Sequence, residues 1–152
     1  EGKELAEKLK GKVPVIYISS ENGAIAYNWK IKLNESAKIP AFHNVFSELN
    51  HNEMTGFDII NSTKSLSEKF HFIFLTDEND HPRIVKRMEL TKQLYIARGL
   101  PVETVKVEGE SSWHKVFASL TLADWTAYYC AMQYGTEPEQ VPMVEEFKKM
   151  MT

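Results

Sequence analysis

Residues 70–107 read FHFIFLTDENDHPRIVKRMELTKQLYIARGLPVETVKV, and this stretch decides the fold class. Residues 70–75 form a short apolar run, which is typical of a buried strand. A polar loop follows, and residues 84–98 have the length and pattern of a helix that Gly99 brings to an end. Residues 102–107 then form a second strand, so a strand, a helix and a strand follow one another.

The same alternation continues on both sides of this stretch. We predict further strands at residues 13–19 and 39–43. The other predicted helices lie at residues 2–11, 24–33, 45–53 and 113–134, and a last one reaches the C-terminus. Short apolar strands that alternate with helices indicate an α/β domain, with a mainly parallel sheet between two helical layers. Because ligands of such sheets bind at the carboxyl ends of the strands, we expect functional side chains there.

Size, charge and cysteine content narrow the possible functions. The chain has 152 residues, the size of one ordinary domain, and a net charge of −3. This charge does not favour nucleic acid or an anionic membrane as a partner, since both call for a basic face. Cys130 is the sole cysteine, so an intrachain disulfide is impossible, which fits a cytoplasmic protein. The helical pattern already begins at residue 2, from which we expect a fragment of a longer protein.

The densest group of polar side chains lies at residues 34–53. Amides, carboxylates and histidines alternate there with apolar residues, as a polar pocket requires, although a solvated helix end is the plainer interpretation. Glu35 lies at a predicted helix C-terminus, where the helix dipole disfavours negative charge, and this suits a general base. His51 lies between two asparagines that can fix the tautomer of an imidazole, the side chain best suited to proton transfer near neutral pH. Alone, each could be an ordinary surface carboxylate or a hydrogen-bonded histidine.

The last predicted helix carries a lysine within an apolar stripe. Val144 and Phe147 lie on one face at helical periodicity, and Lys148 falls inside that face whereas Lys149 falls outside it. A lysine in this position either extends to water or has a partner in a pocket. The same periodicity places Asp124 inside an apolar stripe of the preceding helix, where a carboxylate must be paired.

Other motifs give little support to further chemistry. Glu48 and His51, with His43 nearby, could contribute to a metal site, but no further ligand spacing supports one, and we predict no metal. The sequence contains no phosphate-binding P-loop, no dinucleotide-binding glycine motif and no nucleophile elbow. We therefore predict no cofactor.

Several segments resemble the signature of the bifunctional phosphoglucose/phosphomannose isomerases. They are KLNESAK at residues 32–38, PAF at 40–42 and ELNHNE at 48–53, which Gly56 follows. The segment LTLADWTAYYCA at residues 120–131 is similar to a helix of the same family. The resemblance covers nearly the whole chain, and it identifies residues 1–152 as a C-terminal SIS (sugar isomerase) domain.

This resemblance implies a three-layer αβα domain with about five parallel strands, and an N-terminal SIS domain that is absent from this chain. It also implies a dimeric, metal-free enzyme that interconverts glucose 6-phosphate or mannose 6-phosphate with fructose 6-phosphate through an enediolate. Glu35 would move a proton between C2 and C1, and Lys148 would act beside the ring oxygen. His51 would assist ring opening in the active site of the neighbouring subunit.

The family binds the substrate phosphate through its first domain. The resemblance therefore leaves the substrate-binding residues of this chain unknown, and we expect the chain to be inactive alone. A second interpretation is a non-catalytic SIS module that binds a sugar phosphate, such as a sensor domain. A sensor needs phosphate donors but no proton-transfer base, and this sequence shows the opposite pattern, so it favours the isomerase.

Overall fold

A computed structural model describes residues 1–151 and confirms the α/β class. Four parallel strands form one sheet in the order β2, β1, β3, β4. The strands are β1 (Val13–Ser19), β2 (Phe42–Phe46), β3 (Phe70–Thr76) and β4 (Val102–Lys106). The helices are α1 (Gly2–Leu9), α2 (Gly23–Glu35), α3 (Glu53–Gly56), α4 (Lys64–Ser67), α5 (Pro82–Ala97), α6 (Ser112–Tyr134) and α7 (Pro142–Met150). Short 3₁₀ turns occupy Ser20–Asn22 and Glu48–Asn50.

The sheet divides the core into two halves, as the interior strand β1 shows. Its side chains alternate between the faces of the sheet, as in any strand. Ile16 and Ile18 pack in the half that α1, α2 and α6 cover, whereas Val15 and Tyr17 pack in the half that α5 covers. Both faces are therefore closed by helices, as the three-layer prediction requires.

Trp29 joins the two helices that matter most for the site. It lies in α2, is fully buried, and donates a hydrogen bond from its indole Nε1 to Ser119 Oγ of α6 at 2.9 Å. Buried indole groups need such an acceptor, because an unpaired donor in the core is costly. Trp29 therefore fixes α2, and the end of α2, against α6.

The predicted number of strands needs a correction. The resemblance implies about five strands, but the sheet formed within residues 1–151 has four. After β4 the chain enters the 23 residues of α6 within a few positions. The rest of the described chain supplies only α7, so β4 lies at an edge of the sheet.

The prediction for residues 39–53 was also partly wrong. The strand predicted at residues 39–43 begins later, at Phe42, because Lys38 has a positive φ of 59° and the turn continues through Pro40. The helix predicted at residues 45–53 does not form, since Val45 and the fully buried Phe46 extend β2.

The apolar stripe predicted for α6 is only partly a core face. Ala127 and Ala131 are fully buried, but Trp113 and Phe117 are 74% and 61% exposed. Asp124 is paired as predicted, with its Oδ1 2.8 Å from the ammonium of Lys32.

No helix in the described part of the chain is both long enough and apolar enough to cross a membrane.

Candidate active site

Glu35 is the last residue of α2, and its carboxylate is exposed. It has no hydrogen-bond or ion-pair partner within residues 1–151. The helix end is closed by Lys38, whose ammonium binds the backbone carbonyl of Glu35 and lies 3.3 Å from the carbonyl oxygen of Pro138. The end of α2 is thus tied to the segment that precedes α7.

The helix that carries Lys148 starts at the same edge of the sheet. Helix α6 returns towards the beginning of the strands, and the hydroxyl of Tyr134 accepts a hydrogen bond from the backbone of Gly11, just before β1. Helix α7 then buries no residue against its own chain. Lys148 is exposed, and its Nζ lies 2.7 Å from Glu145 Oε1.

His51 lies elsewhere in the domain. It follows β2 and the second 3₁₀ turn, on the half of the core that α5 covers. Helix α2 lies on the other half and runs about 20 Å from Gly23, beside Val45, to Glu35. Glu35 of one chain therefore lies at the end of the sheet where the strands begin, and His51 lies at the end where the strands finish. The two side chains are too far apart to contact one sugar together.

Hydrogen bonds engage every polar side chain of residues 48–53 other than His51. These bonds join Asn52 to Glu48, Asn50 to Thr91, and Glu53 to Tyr17 and Asn44. The imidazole of His51 is exposed and has no partner in the described chain. The segment therefore presents His51 outwards.

The profile of the family described as "Bacterial phospho-glucose isomerase C-terminal SIS domain" matches residues 1–151. The chain belongs to this family. A relative from Aquifex aeolicus, named bifunctional phosphoglucose/phosphomannose isomerase, is 34% identical over 97% of this chain and 45% of its own length. A relative of the same name from Caldicellulosiruptor bescii is 36% identical over 98% of this chain and 43% of its own length. The chain thus spans a little under half the length of these relatives.

Solved structures confirm the SIS fold. A glucose-6-phosphate isomerase-like protein from Thermus thermophilus superimposes with a TM-score of 0.72, at 19% identity, over 92% of this chain and 45% of that one. A hypothetical protein from the same organism gives a TM-score of 0.75, at 11% identity, over 99% of this chain and 43% of that one. At these identities the likeness establishes the fold alone.

At the carboxyl edge of this SIS domain, where ligands of parallel sheets usually bind, an ion pair is buried. Lys115 Nζ lies 2.6 Å from Asp77 Oδ1, and both side chains are less than a tenth exposed. Burial alone would raise the pKa of Asp77, but hydrogen bonds from Lys115 and from the Asn79 backbone bring this pKa below its ordinary value. The hydrogen bond to Asp77 raises the pKa of Lys115, so the pair stays charged at neutral pH.

The ion pair lies beside a cavity of about 420 Å³ whose charged groups are mostly acidic. Among residues 1–151, Lys115 is the sole cation on its wall, and it is already neutralised by Asp77. The other charged groups on that wall are carboxylates, namely Glu21, Glu78, Asp80 and Glu110. These carboxylates oppose the binding of a phosphate in this cavity.

The structure also shows polar residues that sequence reasoning missed. Lys115 and Asp77 are 38 positions apart, and Tyr17 and Glu53 are 36 apart, so no local pattern joins them.

Within residues 1–151, no three His, Cys, Asp or Glu side chains are arranged to hold a metal ion.

Proposed function

We propose that this SIS domain is one half of an isomerase that interconverts glucose 6-phosphate or mannose 6-phosphate with fructose 6-phosphate. Two relatives that match nearly the whole of this chain bear the name of that enzyme. The observation that carries the proposal is the free, exposed state of Glu35 and His51 in segments whose other polar groups are mostly bonded. Side chains without an internal role are available to a substrate.

Glu35 acts as the base in the proposed reaction. Its carboxylate takes the proton from C2 of the open-chain aldose, and the electrons of that bond form the C1–C2 double bond of an enediolate. The same proton is then delivered to C1, while the hydroxyl proton of O2 moves to O1. The product is the ketose, with no atom gained or lost, and Glu35 is regenerated as a carboxylate.

His51 and Lys148 serve the opening of the sugar ring. Ring opening removes the proton of the O1 hydroxyl and adds a proton to the ring oxygen. An imidazole can accept the proton that leaves O1 and donate a proton to the ring oxygen. The ammonium of Lys148 donates a hydrogen bond to the ring oxygen or to O1. Its internal partner Glu145 is exposed, and such a surface pair costs little to separate.

One active site then needs two chains. Glu35 and α7 lie at one edge of the sheet and His51 at the other, so a single copy cannot surround one sugar with all three groups. In a two-fold dimer, each copy contributes Glu35 and Lys148 to one site and His51 to the other. We propose this homodimer as the working form of the enzyme.

The proposed enzyme also requires an N-terminal SIS domain. The charged groups lining the cavity of about 420 Å³ at the carboxyl edge are mainly carboxylates, and the relatives are more than twice the matched length. We propose that the N-terminal domain binds the phosphate and that residues 1–152 form the C-terminal domain of a cytoplasmic enzyme.

A coupled assay for fructose 6-phosphate formation tests this function. The chain alone, and the chain joined to the SIS domain encoded upstream, are supplied with glucose 6-phosphate and with mannose 6-phosphate. We expect turnover only with the longer protein. Absence of turnover in both would favour the non-catalytic binding module, and turnover by the short chain would contradict the proposed origin of the phosphate site.

A further inference from the structure

The carboxylate of Glu53 anchors one end of the segment that carries His51. Glu53 accepts one hydrogen bond from the hydroxyl of Tyr17 in β1 and another, at 2.5 Å, from the side-chain amide of Asn44 in β2. Both carboxylate oxygens are therefore used, each by a different strand. Glu53 is the first residue of α3, so these bonds fix the end of the His51 segment to the rigid sheet.

The two donors to Glu53 are themselves held in place. Tyr17 is fully buried, and its ring contacts Phe72 with ring centroids 5.4 Å apart. Burial raises the pKa of Tyr17, so its hydroxyl keeps the proton that it donates. The side-chain oxygen of Asn44 accepts a hydrogen bond from the backbone of Val45 at 2.8 Å, which directs the amide nitrogen towards Glu53.

The neighbours of His51 in the sequence are fixed as well. Asn50 donates to Thr91 Oγ1 of α5 at 2.9 Å, and Asn52 donates to Glu48 Oε1 at 2.8 Å. The side-chain oxygen of Asn52 also accepts from the backbone of Glu53 at 2.5 Å, which caps α3. The backbone on both sides of His51 is therefore held, while its imidazole has no bond within the described chain.

We propose that Glu53 is a positioning residue for His51. Its carboxylate, held by Tyr17 and Asn44, fixes the turn so that the imidazole projects from the domain in one orientation. Hydrogen bonds to an ionised carboxylate are stronger than those between neutral groups, which suits an anchor. The value of that orientation rests on the proposed function of His51, because misplacement of a catalytic group by about 1 Å can cost ~10²-fold in rate.

Glu53→Gln tests the inference in the chain itself. Glutamine has one acceptor and one NH₂ group, so it can accept from Asn44 and donate to the Tyr17 hydroxyl, but both bonds to an ionised carboxylate are replaced by weaker neutral bonds. We expect the ¹⁵N order parameter of the His51 backbone to fall from about 0.85 towards 0.6. His71, buried in β3, and His114, in α6, serve as internal controls and should keep their wild-type values.

A second substitution should restore the order. In the double variant Asn44→Asp/Glu53→Gln, the new carboxylate at position 44 accepts from the new amide at position 53 and still accepts from Val45. We expect the order parameter of His51 to return to the wild-type value. If Glu53→Gln prevents folding, Tyr17→Phe removes the other donor and should lower the same order parameter.

Three results would overturn the inference. They are an unchanged order parameter at His51 in the folded variant, an equal loss at His71 and His114, and failure of the double variant to restore order. In the isomerising protein, Glu53→Gln should lower kcat by about 10-fold or more with little change in KM, up to the ~10²-fold cost of misplacement. Because order is measured without substrate, a failed isomerase assay would refute the proposed function and leave this result standing.

Discussion

Glu35→Gln lowers kcat of the isomerising protein by about 10³-fold, within the 10²–10⁴-fold range of a general base, and leaves its folding intact. The amide has the shape of the carboxylate but cannot take the proton from C2. Folding is unaffected because the Glu35 side chain is exposed and has no partner within residues 1–151. Turnover of both sugar phosphates and thermal unfolding by circular dichroism are the two measurements.

A matched substitution separates loss of the base from a general loss of charge. Glu7 is an exposed carboxylate of α1 with no role in the proposed chemistry, and Glu7→Gln removes the same charge. The control variant should keep wild-type turnover. Retained turnover in Glu35→Gln would exclude Glu35 as the base.

Trp29→Ala destabilises the domain by about 3–5 kcal/mol, the usual cost of removing a large buried aromatic side chain. Trp29 is fully buried in the core. It also donates a hydrogen bond to Ser119, which would lose this partner. For a chain of this size the melting temperature should fall by about 10 °C or more, as differential scanning calorimetry would show.

Another tryptophan of the same chain provides the control. Trp113 is 74% exposed on α6, so Trp113→Ala should change the free energy of unfolding by no more than about 0.5 kcal/mol. Equal destabilisation by the two variants would contradict the placement of Trp29 in the core and Trp113 at the surface.

Local patterns predicted the strands of the sheet unequally well. The strand predicted at residues 13–19 has the observed bounds of β1, and the one at 70–75 differs from β3 by one residue, because both are continuous apolar runs in the sheet centre. At residues 45–53 we predict a helix, but polar side chains of this segment bond to β1, β2 and α5 instead. Those long-range bonds outweigh the local preference and cannot be read from spacing.

The candidate site shows the same limit. Sequence patterns singled out Glu35, His51 and Lys148, and their catalytic roles stay predictions. Glu35 and His51 are only 16 positions apart, which favours one pocket, yet α2 runs about 20 Å along the sheet and places Glu35 at the end opposite His51. The resemblance implies that His51 acts in the neighbouring subunit, and the topology adds a physical reason, because it keeps the two side chains of one chain apart.

Mixing two inactive variants tests most directly whether Glu35 and His51 of different chains form one active site. Glu35→Gln and His51→Asn proteins, each with its N-terminal domain, are combined under conditions that exchange subunits, and isomerase activity is measured. Random exchange makes half of the dimers mixed, and each mixed dimer has one intact site, so we expect about a quarter of the wild-type activity. If the mixture is no more active than the separate variants, although mixed dimers have formed, the two residues do not act across the dimer and the proposed site is wrong.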